Sequence, residues 1–130
     1  MPKKILIADD EPNILILMEQ ALENLEDEGV ELLTAKNGLE ALEMIKTENP
    51  ELVFLDVMMP KMSGFEVCTA VRNDLGMQDV YIIMLTAKGQ EFDKQKGMDS
   101  GANLYMTKPF RPKMVLEKSR EVLALSAVDA

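Results

Sequence analysis

The chain has 130 residues, with 14 Lys and Arg against 23 Asp and Glu and a net charge of −9. That length is one domain with room for a core of its own, and the acidic balance argues against non-specific nucleic-acid binding. One cysteine, Cys68, rules out an internal disulfide framework, and no apolar stretch approaches the length of a membrane span, so the expectation is a soluble, cytoplasmic protein with no membrane association.

The start Met1-Pro2-Lys3-Lys4 leads directly into a strand-like run, Lys4-Ile5-Leu6-Ile7-Ala8, too short for a signal-peptide core. The run stops at Asp9-Asp10-Glu11. Pro12 suits a first helical turn, and Ile14, Leu15, Leu17, Met18, Ala21, Leu22 and Leu25 recur at helical spacing. Gly29 ends this helix. A second strand is predicted over 30–34. Asn37-Gly38 turns the chain and caps a short amphipathic helix marked by Leu39, Ala41, Leu42 and Ile45. That helix ends near Asn49-Pro50, because the residue before Pro disfavours helix.

The third strand, Leu52-Val53-Phe54-Leu55-Asp56, is an apolar run that ends abruptly on a carboxylate. A charge seldom sits there without a partner or a task, although Asp also favours turns. Ser63 caps the next helix, which runs through Phe65, Val67, Cys68 and Val71 to about Leu75, with Gly76 as its stop. In that helical pattern Cys68 reads as a small buried apolar residue. A fourth strand covers 80–85 and ends at Thr86-Ala87. The polar segment 89–100 is read as a helix, and Leu104-Tyr105-Met106-Thr107 as a short fifth strand ending at Lys108-Pro109-Phe110. Pro112 opens a last helix, and 126–130 forms a frayed tail after a domain over 1–125. Of the eleven Met, most read as core gap-fillers and a minority as an adaptable surface.

Strand and helix alternate five times, which implies an α/β fold with a parallel sheet covered on both faces. The near-continuous apolar strands agree. Asp9, Asp10, Asp56, Thr86 and Lys108 then all follow strand ends, the edge at which open α/β sheets build sites. Singly, each is an ordinary cap or turn residue. Together they suggest chemistry. Three carboxylates in one crevice repel one another, and a hard divalent cation relieves the repulsion. Mg²⁺ fits, with Mn²⁺ able to take its place, and the Met58 carbonyl just past Asp56 can complete the shell. Lys108 supplies a point charge for a phosphate oxygen and Thr86 a neutral donor. The chemistry suggested is phosphoryl transfer to a carboxylate.

The sequence resembles a receiver domain of the two-component response-regulator family, in the manner of the chemotaxis receivers, over essentially its whole length. The motifs are Ile5-Leu6-Ile7-Ala8-Asp9-Asp10-Glu11, Leu55-Asp56-Val57-Met58-Met59-Pro60 with Gly64, Leu85-Thr86-Ala87 and Lys108-Pro109-Phe110. The resemblance implies a flavodoxin-like doubly wound (βα)5 sandwich with strand order 2-1-3-4-5, the order for which a family member is a standard example. It implies that Asp56 accepts a phosphoryl group from a sensor histidine kinase or phosphotransfer protein. Asp9, Asp10, Asp56 and the Met58 carbonyl would serve the Mg²⁺ site. Thr86, Ala87 and Lys108 would meet the phosphoryl group, with a cis bond before Pro109.

By the same resemblance, Thr86 would move toward the phosphoryl group and Tyr105, the switch aromatic, would turn inward. The surface of the fourth helix, fifth strand and fifth helix would then change. Met58 and Lys88 lie two residues beyond Asp56 and Thr86, and are assigned the tuning of phosphoryl lifetime. The basic residues of the later part of the chain read as a solvated face, or more sharply as a surface for an acidic partner or for a homodimer through the fourth and fifth helices. Such a protein is not an enzyme beyond its own phosphorylation and dephosphorylation. The target is either a separate protein or an output domain of a longer regulator. An aspartate-nucleophile phosphatase is the alternative, but adjacent Asp9 and Asp10 do not match the spaced pair expected there. A flavin-type binder would want a Gly-, Ser- or Thr-rich loop after strand one, where this chain is acidic.

Overall fold

The computed structural model describes residues 2–86, 100–108 and 111–124. Its elements in order are β1 (Lys4–Ala8), α1 (Pro12–Glu26), β2 (Glu31–Ala35), α2 (Gly38–Glu48), β3 (Leu52–Asp56), α3 (Gly64–Thr69), a π-helical turn (Ala70–Asp74), β4 (Tyr81–Thr86), β5 (Leu104–Thr107) and α4 (Pro112–Val122). All strand pairs are parallel, in the order β2-β1-β3-β4-β5. The inherited strand order is therefore the observed one. The helix expected over 89–100 falls, but for Ser100, outside the described residues, as does the tail 126–130.

Alternate residues along each strand feed opposite layers, as the pleat requires. Leu6, Val53, Leu55, Ile82 and Met84 pack with Ala41 and Ile45 of α2 and with Phe65, Val67 and Cys68 of α3. Ile5, Ile7, Phe54, Ile83 and Leu85 pack with Leu15, Met18 and Leu22 of α1 and with Val115 of α4. The apolar spacing of each helix thus picks its face of the sheet. Local signals set the helix ends: Asn37 accepts from the Glu40 amide at 2.8 Å, and Ser63 with Glu66 forms a reciprocal capping box before α3. The chain leaves α1 through Gly29 at φ +89°.

Two strands begin one residue later than their apolar runs suggest. Val30 and Val80 are buried but unpaired, lying just before β2 and β4. A larger departure is in the third helix. It does not run uniformly to Leu75 but widens into a π turn, where the Leu75 amide bonds the Ala70 carbonyl at 2.9 Å. This segment carries Arg72, which is only 8% exposed. Its guanidinium donates to the Gly101 carbonyl at 2.9 Å, the Met77 carbonyl at 2.9 Å and Asn103 Oδ1 at 2.7 Å. Asn103 Oδ1 also accepts from the Ile82 amide at 2.8 Å. One side chain therefore ties the approach to β4 to the approach to β5.

Arg72→Ala leaves those acceptors buried without their donor, at an expected cost of about 2–3 kcal/mol in urea unfolding. Arg72→Lys should recover little of it, because an ammonium lacks the planar fork. A loss of less than about 0.5 kcal/mol, the usual range for surface positions, would contradict this role.

Candidate functional site

The register fixes the site. Ala8 pairs with Leu55 and Asp56 with Leu85. One step further along β1 therefore brings Asp9 beside Asp56. Asp9 is fully buried and Asp56 is 5% exposed. Asp10 is exposed at the mouth. Each of the three offers a carboxylate oxygen, and these oxygens lie within 4.8 Å of one another. Lys108, just past β5, reaches into the same crevice. Its Nζ lies 2.9 Å from Asp9 Oδ2, 3.6 Å from Asp56 Oδ1 and 3.7 Å from Glu11 Oε1. The Lys108 amide donates to the Thr86 carbonyl at 2.7 Å, which anchors the residue to the end of β4. Thr86 is itself 1% exposed.

The electrostatics follow from burial and crowding. Burial, then repulsion from Asp9 and Asp10, pushes the Asp56 carboxyl up to about 7. Lys108 and the Met58 amide, which donates to Asp56 Oδ1 at a long 3.4 Å, oppose the rise without cancelling it. At Lys108 burial acts to lower the pKa, but Asp9, Asp56 and Glu11 outweigh it and the group is raised overall. Asp9 Oδ1 accepts from the Glu11 amide at 2.9 Å. Its buried Oδ2 has no well-directed hydrogen bond among the described residues, and meets Lys108 as an ion pair. The Lys108 cation is thus shared among three carboxylates and leaves Asp56 under-compensated. An all-oxygen donor set with one member open to water and a surplus of negative charge fits a hard divalent cation such as Mg²⁺.

Asp9, Asp10, Asp56, Thr86 and Lys108 all stand at one edge of the sheet, as the sequence suggested. The Met58 side chain is 62% exposed beside them. Tyr105, on β5, packs against the core layer of α2 and α3, with its hydroxyl buried and unpartnered among the described residues. Ala87, Lys88 and Pro109 lie outside the described residues. Sequence reasoning gave Glu11 no role, yet its carboxylate is part of the Lys108 cluster. Its position directly after Asp9-Asp10 was the available signal.

The family model for the response regulator receiver domain matches residues 5–120. The chain is 46% identical over 130 residues to the alkaline phosphatase synthesis transcriptional regulatory protein PhoP of Bacillus subtilis, covering 100% of this chain and 52% of that protein. It therefore spans about half the length of that regulator. Among solved structures it is similar to the chemotaxis response regulator CheY4 of Vibrio cholerae, with TM-score 0.80 and 34% identity over 94% of this chain and 99% of that one. It is also similar to the response regulator DrrB, a Thermotoga maritima OmpR/PhoB homologue, with TM-score 0.81 and 32% identity over 95% of this chain and 54% of that one.

The raised Asp56 pKa has a stability consequence. Between the ordinary carboxylate value of 3.8 and about 7, the folded chain holds a proton that the unfolded chain has released. Stability without a cation therefore falls as pH rises through that window. Asp56→Asn should leave stability unchanged below the window and raise it by about 2–3 kcal/mol above it, allowing for solvent at the crevice mouth. Urea unfolding at both ends of the window checks this. No gain at the alkaline end would contradict it.

Proposed function

The chain belongs to the response regulator receiver family of two-component signalling, and on that premise we propose that Asp56 is its phosphoryl acceptor. The observation that carries the proposal is the trio of carboxylates within 4.8 Å at adjoining strand ends, with the Lys108 cation among them. The donor is a phosphohistidine on a sensor histidine kinase or phosphotransfer protein. A carboxylate oxygen of Asp56 attacks phosphorus, the P–N bond breaks, and the imidazole leaves with the bonding electron pair and takes up a proton. Asp9, Asp10, Asp56 and the Met58 carbonyl would hold Mg²⁺, which would offset charge on the phosphoryl oxygens. Lys108 pairs with one phosphoryl oxygen, and the Thr86 hydroxyl donates to another. Lys108 already stands among the carboxylates and needs little reorganisation as charge develops, whereas Thr86 shifts to meet the phosphoryl group.

Phosphorylation adds charge and acceptor oxygens next to Thr86. The proposed readout is a two-state change in which Thr86 and Tyr105 shift together and alter the surface of the segment 89–100, β5 and α4. Met58 and Lys88 tune the lifetime of the acyl phosphate. Ala87 leaves the phosphoryl path open. The receiver unit over 1–125 works in the cytoplasm. Its target is an output domain, as in regulators twice its length, or a separate protein, and a homodimer through the segment 89–100 and α4 is one form of output. The family match supports this reading over the phosphatase alternative.

Intact mass after incubation with a small-molecule phosphodonor tests the acceptor. The expected result is one phosphoryl adduct on the native chain that requires Mg²⁺ and is absent from Asp56→Asn. An adduct of equal yield on Asp56→Asn would refute the assignment.

A further inference from the structure

The loop 57–63 joins Asp56 to α3 and carries the Met58 carbonyl. Its two ends are fastened together: the Val57 amide donates to the Leu85 carbonyl at 3.0 Å, and the Gly64 amide to the Val57 carbonyl at 2.9 Å. Its tip is a tight turn, with Lys61 at φ +70° and the Met62 amide on the Pro60 carbonyl at 2.8 Å. The tip rests on another element. The Gly38 amide, in the first turn of α2, donates to the Pro60 carbonyl at 3.4 Å. Glycine is a poor helix former, so its place there needs a reason. A Cβ on residue 38 would stand 1.9 Å from the Met62 carbonyl oxygen and 2.6 Å from both the Met62 carbonyl carbon and Cβ. No side chain fits between α2 and the loop.

Which side would yield is decided by packing. α2 is held by the Asn37 cap and by Ala41 and Ile45, both fully buried. Of residues 58–62 only Met59 is buried, Met62 packs against the core part-buried, and Pro60 and Lys61 are exposed. The loop moves, and because Val57 and Gly64 close it, the displacement falls on residues 58–62. Asp56 is spared, since it pairs with Leu85 in the sheet. We propose that Gly38 is a positioning residue of the cation site: its bare α-carbon is the seat that sets the β3–α3 loop, and with it the Met58 carbonyl. This rests on the proposed function, in which that carbonyl is a ligand. Groups that orient metal ligands without touching the metal are commonly worth about 10- to 100-fold in affinity.

Mg²⁺ titrations followed by amide chemical shifts test this on the full chain, in concentrated sucrose to favour the folded state. Gly38→Ala should bind Mg²⁺ about tenfold more weakly than the native chain, at the lower end of that range. Val30→Ala, destabilised at the far end of the sheet, should bind as the native chain does. A second comparison is made in Met62→Gly, which removes the Cβ contact but keeps the carbonyl. Adding Gly38→Ala to that variant should again weaken Mg²⁺ binding, because the 1.9 Å clash remains. Equal affinity with and without Gly38→Ala in both backgrounds overturns the inference, as does an equal loss in Val30→Ala. A native chain that does not bind Mg²⁺ overturns the proposed function itself.

Discussion

Crowding of negative charge at the open end of β1 and β3 is the constraint that the rest of the molecule serves. The parallel register puts Asp9 and Asp56 side by side, and the core beneath them removes water. Lys108 meets Asp9 at 2.9 Å but comes no nearer to Asp56 than 3.6 Å, so the Asp56 carboxylate stays frustrated. A site that is uncomfortable without a cation is poised to take one, and in the proposed function the phosphoryl group that follows has its charge met by that cation and Lys108 together. The fold contributes rigidity. The three inner strands β1, β3 and β4 are buried along nearly their whole length, and every side chain of β3 is buried.

Much of this was legible in the chain. The run Leu52-Val53-Phe54-Leu55 ending on Asp56 announced both a doubly covered strand and a site, because apolar continuity and a terminal carboxylate are local signals. The caps at Asn37 and Ser63 were legible for the same reason. Strand order was not: nothing in the periodicity orders the sheet, and the order came from the family resemblance.

What stayed hidden is long-range. Arg72 looks like an ordinary basic residue near a helix end, and only its reach to Gly101 and Asn103 reveals a buried staple. Gly38 reads as half of a turn signal, and its contact with Met62 appears only once α2 and the β3–α3 loop are side by side. β2 and β4 start one residue later than their apolar runs because Val30 and Val80 are apolar and buried yet lie outside the strand pairing. In each case the sequence shows residue type and spacing, and the missing information is which distant backbone the residue meets.

The most direct test of the account is the proton balance of Mg²⁺ binding. Calorimetric titrations of the native chain, repeated in buffers of different ionisation enthalpy, measure protons released per cation bound. If Asp56 holds its proton up to about 7 without a cation, binding one unit below that pH releases most of a proton, and binding two units above it releases almost none. Mg²⁺ binding with no proton release at the lower pH would show that the crevice is not charge-frustrated, and would contradict the account at its centre.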